Sequence, residues 1–218
     1  NQARVHALTF PLVTKADGTK FGKTETGTIW LDPKKTSPYV FYQFWMNSSD
    51  ADVYRFLRYF TFLPLEQIGE IERADASSGV KPTAQGVLAR EVTKLVHGHQ
   101  GLESAIRISE ALFLGSHTAL SEGDFGQLKQ DGLPSTRLSR SDLTKPVTAI
   151  LVEAGLAATG KQVKDALTRA AVSINGHACT LEDNNKADEC FAPERAVFGR
   201  YFLARVGKKS FHLFESII

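Results

Sequence analysis

Lys20-Phe21-Gly22-Lys23-Thr24 sets two lysines three residues apart around a glycine, followed by a hydroxyl. Two ammonium groups so spaced can flank a polyphosphate, the glycine lets backbone come close to a ligand, and the threonine hydroxyl can donate a hydrogen bond. Phosphoryl and adenylyl transfer need such a group. Negative charge builds on the departing pyrophosphate, and a mobile cationic loop can neutralise it in the transition state. The spacing of glycines and lysine is not that of a P-loop. Lysine-rich loops are common, and a solvated loop without chemistry fits the bare pattern as well.

A second group of cations lies near the C-terminus. Arg195, Arg200, Arg205, Lys208 and Lys209 fall in a window without a carboxylate. Cations gathered on one element are the footprint of a polyanion site, because each phosphate neutralised releases counterions; a solvated hairpin face is the alternative. The formal charge of +2 hides this division. Residues 1–30 carry four Lys/Arg against two Asp/Glu, residues 31–136 ten against thirteen, and residues 137–218 twelve against nine.

Other chemistry finds less support. His97-Gly98-His99 stands at an expected helix end, and histidines at i and i+2 of a helix do not face one metal. Cys179 and Cys190 match no zinc spacing and are too few for a disulfide framework, so they read as reduced thiols, with a single disulfide the lesser alternative. No Ser/His/Asp or Cys/His set emerges.

Three zones must position these residues. Up to about Leu31 the chain reads as strand, loop and strand, with Leu8–Val13 and Thr28–Leu31 as β-prone runs. Between them, Lys15–Gly27 has no aliphatic residue larger than alanine and reads as a mobile loop. The second zone is helical. Ser37-Pro38 starts a helix through Tyr39–Met46, and Ser49 or Asp50 starts another with Val53, Phe56, Leu57 and Phe60 on one face. Helices from Pro64, from Pro82 to about His97, from Leu102 to Phe113 and over Phe125–Lys129 follow. The crowd of aromatics from Tyr39 to Phe62 keeps helical periodicity and reads as core rather than as a base-stacking platform. Residues 131–146 hold two prolines and little apolar pattern, as a linker would. The third zone reads as helices Val147–Ala154 and Gln162–Ala171, a strand Val172–Ile174 before an Asn175-Gly176 turn, and a hairpin of Tyr201–Val206 with Ser210–Phe214. The fold class is therefore α+β.

Composition excludes several classes. At 218 residues with 42% hydrophobic and 23% charged, the chain is neither disordered nor collagenous. No run approaches the roughly 20 apolar residues of a membrane span, and the start lacks the pattern of a secretory signal. A soluble, cytoplasmic chain without membrane partners is expected. Its first residue, Asn1, reads as a start partway into a longer protein.

Phe10-Pro11-Leu12-Val13-Thr14-Lys15-Ala16-Asp17-Gly18-Thr19-Lys20-Phe21-Gly22-Lys23-Thr24-Glu25, with Trp30-Leu31-Asp32, Lys35-Thr36-Ser37-Pro38-Tyr39 and Tyr42-Gln43-Phe44, closely resembles the bacterial-type tyrosyl-tRNA synthetases. Their KMSKS loop, the second class I signature, is written KFGKT or KFGKS. The resemblance continues through Asp52-Val53-Tyr54-Arg55-Phe56-Leu57, Leu95-Val96-His97-Gly98, Ser173-Ile174-Asn175-Gly176 and Phe198-Gly199-Arg200.

The resemblance implies roles that spacing alone did not. Lys20, Lys23 and Thr24 would be catalytic, with Phe21 and Gly22 joining them in binding ATP. ATP would be a substrate with Mg2+ alongside, and no bound cofactor is implied. Residues 1–31 would end a class I catalytic domain, residues 32–130 would form an α-helical anticodon-binding domain, and residues 147–218 a small RNA-binding fold of the ribosomal small-subunit protein four type. In that last fold Lys161, Lys164, Arg169, Arg200, Arg205, Lys208 and Lys209 are the candidates for phosphate contacts with tRNA-Tyr. Relatives often carry Ser-Arg at the start of its second helix, where this chain has Thr159-Gly160. The HIGH-type motif and the tyrosine pocket precede the loop in the family and are not in this sequence. The chain is thus expected to be the C-terminal half of a homodimeric enzyme that activates L-tyrosine with ATP and charges tRNA-Tyr, inactive by itself. A non-enzymatic RNA-binding module, or a paralogue for another structured RNA, is the competing reading.

Overall fold

The computed structural model describes residues 6–24, 27–78, 83–114 and 119–217. The chain divides into two compact units, Asn1–Thr36 with Phe41–Gly98 and Ser37–Val40 with His99–Ile218.

Helices dominate the first unit. α1 (Pro38–Met46) enters it from Phe41, and α2 (Asp50–Phe60), α3 (Leu65–Ser78) and the first part of α4 (Ala84–Leu114) follow. The spacing that predicts α2 is the spacing that buries it: Val53, Phe56 and Leu57 are almost wholly covered, and Asp50 and Asp52 oppose the helix dipole in its first turn. Asp75 near the end of α3 accepts hydrogen bonds from the Thr83 and Ala84 amides, the Thr83 hydroxyl and the Tyr54 hydroxyl. One carboxylate thereby caps the start of α4 from another helix. Gly79 and Pro82, the expected break and helix start, lie outside the described residues.

Two expectations for this unit need correction. Leu8–Val13 forms no strand, because no neighbouring strand among the described residues offers it a ladder and Pro11 lacks an amide to donate. Thr28–Leu31 is likewise reduced to the short strand β2 (Gly27–Thr28), paired antiparallel with β1 (Lys23–Thr24). The helix end expected at about His97 is borne out: helical backbone is interrupted at Gly98, with φ 71° and ψ −177°, in the left-handed region that favours glycine, and resumes after it within α4. The division between units falls there.

In the second unit a five-stranded sheet runs in the order β3-β7-β6-β4-β5. Its strands are β3 (Ser135–Leu138), β4 (Val172–Ile174), β5 (His177–Cys179), β6 (Tyr201–Val206) and β7 (Ser210–Ser216). β3 pairs parallel to β7 and the others are antiparallel. The Asn175-Gly176 turn has φ 47° and 78°, as a two-residue hairpin requires. β3 corrects the expected linker over 131–146: four of its residues pair with Leu213–Ser216, so a segment with little apolar pattern is ordered by ladder hydrogen bonds.

β6 is buried on both faces, and its alternation assigns each residue a side. Phe202 and Ala204 face α6 (Val147–Glu153) and α7 (Gly160–Thr168), packing with Ile150, Leu151, Val163 and Leu167. Tyr201 and Leu203 face the second part of α4 and α5 (Glu122–Gln127), packing with Ile108, Leu112 and Phe125. Tyr201 stacks on Phe125 with ring centres 5.1 Å apart and planes 9° apart. The helices after Gly98 therefore cover one face of the C-terminal sheet.

Asp124, 1% exposed, fastens that cover. It accepts two hydrogen bonds from the Arg107 guanidinium, one from the Ser104 hydroxyl and one from the Ser121 amide, closing a capping box at the start of α5. Burial raises its pKa, but these donors outweigh burial and hold it below the ordinary 3.8. A group whose folded pKa is depressed stabilises above its unfolded value and loses that contribution as pH falls through the folded one. Asp124→Asn should cost about 2 to 3 kcal/mol at pH 7 and flatten the loss of stability below pH 4. Denaturant melts of both proteins from pH 7 to pH 2 check this; parallel curves would contradict it.

Candidate functional site

The loop of Lys20 to Thr24 cannot order itself, since Phe21 is its one large apolar side chain. Helices α1 and α2 supply what it lacks. The Phe21 ring lies 4.7 Å from that of Phe56, 5.1 Å from Phe60, 5.3 Å from Trp45 and 5.6 Å from Phe44. Seating it in this box leaves Lys20 exposed. Gly22 has φ 84°, with open space where a Cβ would stand, so here glycine serves the turn rather than a close approach. Lys23 and Thr24 lie on β1; their side chains are outside the described structure, as is Glu25.

Polar contacts hold the approach to the loop. Asp17 accepts from the Thr19 amide and hydroxyl, and the Lys15 amide donates to the Thr19 carbonyl. The Ala16 amide donates to Asp52 at 2.8 Å, and Arg55 donates to the Thr14 carbonyl at 2.6 Å. The expected mobile segment is thus tied to α2 before Lys20 and at Phe21. Asp52 and Arg55 were not among the residues that composition and motif singled out as functional. Their signal was the periodicity of α2, where 52, 56 and 60 are one helical turn apart. The described carboxylates beside the loop do not fit a magnesium site: Asp17 is taken by Thr19, and Asp52 by Ala16, Ser49 and Arg55.

In the second unit the seven basic candidates are not one patch. Lys161, Lys164 and Arg169 lie along the exposed side of α7, the first two lining an open groove of about 630 Å³ against α6. Thr159 caps this helix, its hydroxyl accepting from the Gln162 amide, so the departure at Thr159-Gly160 costs no cap. Lys208 and Lys209 are exposed at the tip of the β6–β7 hairpin. The Gly207 amide donates to the Ala171 carbonyl, which brings that tip beside the end of α7 and Arg169. Arg205 points to the other face of the sheet, half-buried, with its Nε lacking a hydrogen-bond partner among the described residues. Arg200 stands just before β6, whose six residues, about 20 Å of strand, separate it from the tip. It pairs with Glu122 at 2.9 Å and lies over the Tyr201 ring, so much of its charge is already answered.

Elsewhere, no group of three His, Cys, Asp or Glu that could hold a metal ion occurs among the described residues. Among the described residues no helix is long and apolar enough to cross a membrane. Cys179 and Cys190 are free thiols, both buried.

A family model described as tRNA synthetases class I (W and Y) matches residues 1–114, and one described as the tyrosine--tRNA ligase SYY-like C-terminal domain matches residues 124–214. The tyrosine--tRNA ligase of Aliivibrio fischeri (strain MJ11) is 50% identical over 98% of this chain and 49% of its own length. That of Salmonella paratyphi B is 52% identical over 98% of this chain and 48% of its own. A C-terminally truncated mitochondrial tyrosyl-tRNA synthetase from Coccidioides posadasii is 40% identical over 45% of this chain and 25% of its own, with a TM-score of 0.38. The chain spans about half the length of the curated relatives it matches. It belongs to the class I tRNA synthetase family of the W and Y type, and its similarity there is to tyrosine--tRNA ligases.

Proposed function

We propose that this chain is the part of a tyrosine--tRNA ligase that carries the KMSKS-type loop and the tRNA-binding surfaces. One observation carries the reading: a two-lysine glycine loop, seated by Phe21 so that Lys20 stays exposed, in a chain half identical to tyrosine--tRNA ligases along nearly all its length. In tyrosine activation the substrate carboxylate attacks the α-phosphorus of ATP and pyrophosphate leaves. Charge grows on the leaving group, where Lys20 and Lys23 would neutralise it and the Thr24 hydroxyl would donate a hydrogen bond. Phe21 and Gly22 would meet the nucleotide through backbone, since the Phe21 ring is taken up by the box. The tyrosine pocket and HIGH-type motif would come from the rest of the protein, a homodimer in the cytoplasm. The 218 residues alone should bind RNA without activating tyrosine.

For the RNA, the edge formed by α7 and the hairpin tip is the better phosphate surface. Lys161, Lys164, Arg169, Lys208 and Lys209 are exposed there, with no ion pair to them among the described residues. It would be the working face of a fold of the ribosomal small-subunit protein four type, with the helices before it reaching the anticodon arm.

Two measurements test this. In the full-length protein, Lys23→Ala should slow ATP–pyrophosphate exchange about 100-fold; an RNA-only protein would have no exchange to lose. Lys208→Ala with Lys209→Ala should lower the salt slope of tRNA-Tyr binding by about 1 to 2, while Arg200→Ala should change it less. Equal slopes for wild type and the double variant would place the RNA elsewhere.

A further inference from the structure

We infer that Asp52 and Arg55 on α2 are positioning residues for Lys20 and Lys23, fixing the loop to the helix that also seats Phe21. The inference rests on the reading of that loop as the one that handles ATP.

Asp52 is 4% exposed and sits 36 residues from its loop partner. Its Oδ1 accepts from the Ala16 amide and from Arg55 Nη2 at 2.6 Å, and its Oδ2 accepts from the Ser49 hydroxyl. Arg55 Nη2 also donates to the Thr14 carbonyl. The two side chains therefore grip one donor and one acceptor of the same backbone stretch, and in gripping it they neutralise each other. That stretch closes on itself at the Thr14–Lys20 bridge, so its position is passed directly to Lys20.

Phe56 and Phe60 complete the arrangement from the same face of α2. Polar grip and apolar seat thus hold the loop on either side of Lys20, a geometry that sets where the ammonium groups begin their reach. Arg55 Nε is buried without a hydrogen-bond partner among the described residues. A helix-stabilising pair alone would not need that unpaired donor, whereas an arginine turned toward a carbonyl 41 residues away accepts it.

The test uses the full-length enzyme and separates positioning from stability. Asp52→Asn and Arg55→Ala should each lower kcat for ATP–pyrophosphate exchange at least tenfold, with KM for tyrosine within twofold. Arg55→Lys, which keeps the charge but not the reach to both partners, should recover part of the loss. Asp75→Asn removes a comparable carboxylate of the same unit with no contact to the loop; it should lower Tm as much and leave kcat within twofold. The inference is overturned if Asp52→Asn and Arg55→Ala keep kcat within twofold while Lys23→Ala abolishes it, or if Asp75→Asn loses as much kcat as Asp52→Asn. Should Asp52→Asn not fold, the two Arg55 variants decide alone. Unchanged exchange in Lys23→Ala would instead sink the loop reading itself, and the inference with it.

Discussion

A loop meant to reach for phosphates must keep its lysines in water, and so it cannot bury enough surface to hold its own shape. Phe21 resolves this constraint. Its ring, between Lys20 and the turn at Gly22, enters a box of Phe44, Trp45, Phe56 and Phe60 built by two helices. Burying one phenylalanine among aromatics is worth about 2 to 3 kcal/mol, enough to bias a short loop toward one place without freezing its cations. The aromatic crowd of α1 and α2 is therefore both core and socket. That double use explains why so many rings are gathered in so short a stretch.

The second unit solves a different problem. A sheet of short strands has two faces to cover, and here α6 and α7 take one while the end of α4 and α5 take the other. Because β6 is buried on both sides over Tyr201–Ala204, the exposed cations stand at its ends, Arg200 before the strand and Lys208 and Lys209 beyond it, while Arg205 within it is half-buried. The ends differ in electrostatics, for Arg200 meets Glu122 while the hairpin tip stands free beside α7. A single basic window in sequence becomes two places in space, and one of them is partly neutralised.

Much of this was legible in the residues. The alternation of Tyr201–Val206 gave that strand its bounds, Asn175-Gly176 its turn, and Ser37 and Thr159 their helix starts; the Ser37 hydroxyl accepts from the Val40 amide as a cap should. What escaped depends on partners far away in sequence. β3 carries no strand pattern and exists because β7 offers a ladder, while Leu8–Val13 has the pattern but no described ladder. The interruption at Gly98 rests on a left-handed backbone that glycine takes readily. The loop residues themselves were legible from type and spacing. The grip of Asp52 and Arg55 was not, because a carboxylate and a guanidinium one turn apart look like an ordinary helix pair until Arg55 is seen donating to the Thr14 carbonyl and Asp52 accepting from the Ala16 amide.

The order of the loop is borrowed from α2. Native-state amide hydrogen exchange of this chain, followed through low denaturant, tests it most directly. The Ala16 and Phe21 amides should be protected and lose protection in the same step as those of Phe56 and Leu57. Exchange at Ala16 and Phe21 near the rate of an unstructured peptide, while α2 stays protected, would contradict it.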